Sequence, residues 1–129
     1  VVSVRLGSKM KTKGWGYYKP DLKNNINRDI SKSTTGAASE LFVSADLLCR
    51  GFDVFRAVSP CCSCDLIAVK GKLFLRIEVK TGRIFNEKII FPSIKGKMAE
   101  RYDILAICVN CQKIIYKPEL PMSFTDNNL

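Results

Sequence analysis

An α/β domain built around one mixed β-sheet is the fold this sequence predicts, and three observations predict it. Residues 37–50 repeat small and apolar side chains at three- and four-residue steps, as a helix does. Two β-branched runs follow, 66–69 and 73–79, separated only by Lys70, Gly71 and Lys72, which reads as a hairpin. Residues 103–109 are a nearly continuous apolar run, the pattern of a strand covered on both faces. Helix, three strands, short helix, and one or two strands is an order that packs as helices against a sheet.

Each element has its own signal. Ser31 to Gly36 reads as the approach to the helix, with Thr34 or Thr35 available as N-cap. Ala37, Leu41, Ser44, Ala45 and Leu48 make the expected inward face. Arg50 closes the last turn, Gly51 stands where a left-handed residue is wanted, and Leu47 can meet Phe52 across that cap. Residues 52–58 alternate as a first strand until Ser59 and Pro60 break it. After the hairpin come a short strand at 89–91, a short helix around 94–101, the buried strand, and a last strand at 114–116. From Pro118 the chain reads as a tail.

At 129 residues, 47% hydrophobic and 26% charged, the chain suits one domain with a proper core. Residues 1–32 read as a basic arm or extension and 33–129 as the domain. The longest apolar stretches fall far short of the ~20 residues that span a bilayer, and residues 1–10 lack the pattern of a signal peptide. The expectation is a soluble, cytoplasmic protein with no membrane partner. The six cysteines at 49, 61, 62, 64, 108 and 111 are then expected as reduced thiols, with Cys49 and Cys108 acting as small hydrophobes. Cys61, Cys64, Cys108 and Cys111 form two CxxC pairs, but 43 residues separate them, so a structural zinc is the weaker reading.

Net charge is +9, and it is uneven: eight basic and two acidic residues lie in 1–32, thirteen and ten in the remainder. That balance points to a polyanionic partner, nucleic acid first. In the arm, Lys9, Lys11 and Lys13 precede Trp15, Tyr17 and Tyr18. The lysines are expected to contact phosphate. For the aromatics, packing on the domain and stacking on bases both stay open. The chain has no histidine, which excludes Ser-His-Asp and Cys-His nucleophiles, HExxH metal sites and a histidine general base.

The remaining candidate chemistry is carboxylate and lysine. With Gly71 and Lys72 central in a type II′ turn, Lys70 pairs with Leu73, Val69 with Phe74, and the register runs back to set Asp65 opposite Glu78. Their Cβ atoms would then lie about 4.5–5.5 Å apart, with Lys80 on the same face. Two facing acids on a sheet of Leu, Ile, Val and Phe repel each other and resist desolvation. A hard divalent cation, Mg²⁺ or Mn²⁺, resolves that conflict, and the Val79 carbonyl between them could add a ligand. Lys80 would orient or deprotonate a water, or stabilise charge on a phosphate. The competing reading makes Asp65 a turn residue and Glu78 with Lys80 an ordinary surface pair; the register match and the apolar setting favour the site.

Asp65, twelve intervening residues, then Glu78-Val79-Lys80 resembles the motif of the PD-(D/E)xK nuclease superfamily. The likeness covers about residues 36–109, and "GAASELFVSADLLCRGFDVFRAVS", "CDLIAV" and "LRIEVKTG" look most like its Holliday-junction resolvase and group I intron homing-endonuclease branches. The resemblance implies a restriction-endonuclease-like core, a divalent metal and hydrolysis of DNA phosphodiesters. It also implies a catalytic role for Glu40, the acid on the first helix, which would hold one or two Mg²⁺ ions with Asp65 and Glu78, although a charge favourable near a helix N-terminus explains that residue as well. Arg56 corresponds to a basic residue that contacts phosphate, and Thr81 to the residue that follows the lysine and supports it at the DNA. Cys64 stands where the family motif has proline. The function expected is a metal-dependent DNA endonuclease acting as a homodimer or larger symmetric assembly; the alternative is a non-catalytic nucleic-acid-binding module that keeps the fold.

Overall fold

A computed structural model describes residues 2–5, 29–94 and 96–121. The elements are β1 (Val2–Arg5), α1 (Lys32–Cys49), β2 (Asp53–Arg56), β3 (Leu66–Lys70), β4 (Leu73–Phe85), β5 (Lys88–Phe91), a 3₁₀ helix (Gly96–Arg101), β6 (Ile104–Val109) and β7 (Lys113–Lys117). From α1 onward the order is the expected one, an α/β fold with a mixed sheet: β4 and β6 run parallel and every other pairing is antiparallel.

α1 begins five residues before the expected start. Ser31, not Thr34 or Thr35, is the N-cap: its hydroxyl accepts the Thr34 N–H at 3.1 Å, and Thr35 donates back to the Ser31 carbonyl. At the other end Gly51 has φ +89°, and the Phe52 and Gly51 N–H groups bond the Leu47 and Leu48 carbonyls. That is a Schellman cap, as the sequence predicts.

The buried stripe of α1 differs from the expected one. Ser39, Val43, Ser44 and Leu47 face the sheet, whereas Ala37 and Ala45 are exposed, as are Leu41 (54%) and Leu48 (57%). Small and apolar residues recur on both sides of this helix, so periodicity alone does not choose between them. Cys49 is likewise exposed at the helix end, not packed as a small hydrophobe, while Cys108 is fully buried. Leu47 meets Leu66, Ala68, Leu75, Ile77, Ala106 and others in the main core. Each large side chain wholly buried here contributes on the order of 1.5–3 kcal/mol, which holds α1 on its face of the sheet.

The hairpin register is the predicted one over five pairs, from Lys70 with Leu73 to Leu66 with Ile77, and Gly71 has the φ of +59° that the turn requires. β4, expected to end near residue 79, continues to Phe85 by changing partners. It pairs with β3 along 73–77, with β6 along 77–82 and with β5 along 83–85. At Gly82 a Cβ would come within 2.9 Å of Ile107 and 3.0 Å of Ile89, so only glycine fits where β4 crosses the second core of Ile89, Phe91, Leu105, Ile107 and Val109. β1 pairs with β5, which gives the start of the supposed arm a place in the sheet. Lys9, Lys11, Lys13 and the arm's aromatics lie outside the described residues. Among the described residues no helix is long and apolar enough to cross a membrane.

Candidate active site

The site forms where β3 ends and β4 runs on. The ladder stops at Leu66 and Ile77, one step before the Asp65–Glu78 pair that the sequence places face to face. There the backbone shifts: Asp65 N–H donates to the Ile77 carbonyl and the Asp65 carbonyl accepts from Ala57. Beyond this point Val79 has no partner on β3, and one Asp65 carboxylate oxygen accepts its N–H at 2.8 Å. Asp65 therefore has a structural task in addition to any chemistry. In an extended strand a residue's carbonyl leaves on the same side as its N–H, so the Val79 carbonyl also points toward the Asp65 edge.

β4 alternates. Leu75, Ile77 and Val79 are buried against α1, whereas Glu78 and Lys80 point to the opposite face. The Lys80 ammonium lies 3.1 Å from the Glu78 carboxylate. Burial pushes the Glu78 carboxyl above the usual glutamate range, its side chain being 16% exposed. The Lys80 hydrogen bond pulls it down, the charges of Asp65 and Glu40 push it up, and the net shift is upward.

Asp65, Glu78 and Lys80 line one cavity of about 320 Å³ together with residues 60–63, Ile94 and Arg101. The structure thus brings together three of the four residues expected to be catalytic. Glu40 reaches toward the same region from α1, but its carboxylate is held by Arg56 at 2.9 Å, so acid and base pair with each other. Thr81 faces α1 and its hydroxyl lies 2.8 Å from that of Ser39, on the side of the sheet away from Glu78 and Lys80. Among the described residues no group of three or more His, Cys, Asp or Glu side chains is arranged to hold a metal ion. Cys61 and Cys62 are exposed on the cavity rim, and Cys64 is buried. Cys108 is buried beside Ser39, and burial pushes its thiol up to about 11.

Arg101 is the cavity residue that sequence reasoning misses. It is one of 21 basic residues, in a segment with no motif, and only the path of the chain between β5 and β6 carries it to the acids.

These features define an α/β domain of restriction-endonuclease-like order with an acid–acid–lysine–arginine cavity at the end of its central hairpin. No family model matches the sequence and no curated protein matches it. Among solved structures, the chain is similar to a bacterial homing endonuclease, I-Ssp6803I, at a TM-score of 0.47 and 16% identity, over 74% of this chain and 87% of that one.

Proposed function

We propose that this domain is a divalent-metal-dependent DNA endonuclease whose working groups are Asp65, Glu78 and Lys80. The observation that carries the reading is the convergence of these three side chains in one cavity. Two come from a strand whose other face is core, and Glu78 stays there at the cost of desolvation. Nothing in packing requires an acid at Glu78.

The donor set fits a small hard cation. Mg²⁺ is usually held by one or two carboxylates and keeps several waters, so Asp65, Glu78 and the Val79 carbonyl suffice without a third acid. The free oxygen of Asp65 and both oxygens of Glu78 are the atoms that would hold it. When bound, such an ion supplies charge neutralisation at the phosphate and a more acidic water. Lys80, released from Glu78, hydrogen-bonds the attacking water or the phosphate. Hydrolysis joins the water oxygen to phosphorus and breaks the bond to the leaving sugar oxygen. One proton passes from the water to that oxygen by way of solvent. Arg56, paired here with Glu40, would exchange that carboxylate for a DNA phosphate. One site per chain cuts one strand, so cleavage of a duplex requires a second copy in a homodimer or larger symmetric assembly.

The test is a panel of duplex, single-stranded, flapped and four-way-junction DNA incubated with Mg²⁺, with Asp65→Ala alongside. Cleavage of at least one substrate by the wild type, and retained binding without cleavage by the variant, is expected. Binding of DNA by the wild type with no cleavage of any substrate, in Mg²⁺ or Mn²⁺, would establish the non-catalytic binding module instead.

A further inference from the structure

Arg101 closes the 3₁₀ helix and lines the cavity shared by Asp65, Glu78 and Lys80. Among the described arginine side chains, Arg83 and Arg101 are the ones without an ion pair, and of the two only Arg101 lines this cavity. Arg50, Arg56 and Arg76 each rest on a carboxylate, at 2.8, 2.9 and 2.9 Å. Arg101 has no ion pair or side-chain hydrogen bond among the described residues. Its side chain is exposed and lines the cavity without pairing with either acid.

The charge of the cavity says what such a cation is for. Lys80 and Glu78 offset each other, and one Asp65 oxygen is occupied by the Val79 N–H. Once a divalent cation neutralises the two carboxylates, Lys80 and Arg101 remain as two unmatched positive charges. A phosphodiester carries one negative charge, and attack by hydroxide brings a second to the phosphorus centre. One cation would match the ground state only; two match the state in which charge has accumulated, where stabilisation raises the rate.

We infer that Arg101 is the phosphate clamp of this site, its planar fork gripping the non-bridging oxygens of the phosphodiester to be cut. The inference rests on the nuclease reading and adds a residue that the acid–acid–lysine motif does not contain. A guanidinium offers two parallel N–H donors to such oxygens, which an ammonium cannot.

The experiment compares wild type, Arg101→Ala and Arg101→Lys, after thermal unfolding has identified the variants that fold. Single-turnover cleavage is followed in Mg²⁺, and DNA binding is followed by anisotropy in Ca²⁺ across a salt series. Arg101→Ala is expected to cut about 10²–10³-fold more slowly, the usual loss of one preorganised donor. Its slope of log affinity against log salt should be shallower by about 0.9, one phosphate contact. Arg101→Lys should restore the salt slope but only part of the rate, and it keeps the test alive if the alanine variant does not fold. Both variants should still gain thermal stability from Mn²⁺, since Asp65 and Glu78 are intact. Wild-type cleavage with Arg101→Ala equal to it in rate and salt slope overturns the clamp alone. A wild type that cuts nothing overturns the clamp and the nuclease reading together.

Discussion

Asp65 and Asp103 stand on opposite edges of β4, and each takes a backbone N–H that the strand ladder leaves open, Asp65 from Val79 and Asp103 from Arg76. Asp103 also holds the Arg76 guanidinium through both oxygens, at 3.2 and 2.9 Å. The Arg76 side chain, followed by its backbone N–H, keeps the Asp103 carboxyl below the usual aspartate range. A depressed carboxyl contributes stability above its unfolded value, ~3.9, and loses it as pH falls through the folded value. Charged hydrogen bonds are worth ~1.5–3 kcal/mol. Because this pair is well exposed, Asp103→Asn should cost about 1 kcal/mol at pH 7 after discounting for solvent screening. Urea unfolding should show the gap closing below the folded pKa of Asp103; a gap independent of pH contradicts this role. The two aspartates also explain what the sequence discloses at this scale. Glu78 and Lys80 are legible because a two-residue turn fixes their register. That Asp65 caps Val79 is not legible, because the cap depends on the ladder ending one residue early. Arg101 is invisible for a simpler reason: no local pattern ties it to residues some twenty to forty positions away.

For α1, the element and its C-cap are legible, and its start and rotation are not. Gly36 and two threonines argue locally against helix, yet Ser31 supplies an acceptor for the first turn and the helix extends through them. Ser31→Ala should therefore destabilise the protein by ~1 kcal/mol, while Thr34→Ala, without a cap to lose, should change stability by no more than ~0.5 kcal/mol. Chemical denaturation of the two variants separates them, and the reverse ranking would move the cap to Thr34. The length of β4 escapes the sequence because its far half is specified by new partners and not by its own pattern. Residues 81–85 mix polar, glycine and apolar types, and the pairing with β6 and β5 makes them strand. By contrast β6 is evident from sequence alone, since all six of its residues are buried.

At the scale of the molecule, the sheet is built outward from one long strand. β3 and β2 flank its first part, β6 and β7 its middle, and β5 with β1 its end. The hairpin, the buried strand and the helix cap are local or nearly local patterns and could be read in advance. The pairing of Val2–Arg5 with β5 spans more than eighty residues and could not. This architecture places the acids where β4 leaves β3 and runs on beside β6, and their side chains open on a cavity. The chain carries a basic excess, whereas the cavity's own charged side chains, two acids, a lysine and an arginine, are balanced. Under the proposed function, attraction for DNA and chemistry on it are therefore separable.

That separation makes cleavage of supercoiled plasmid by wild type and Lys80→Ala the most direct measurement, run in Mg²⁺ with parallel binding assays in EDTA. Nicked and linear products are expected from the wild type and none from the variant, with DNA affinities within a few-fold of each other. Equal cleavage by Lys80→Ala would contradict this, because the charge beside Glu78 would then have no part in the reaction.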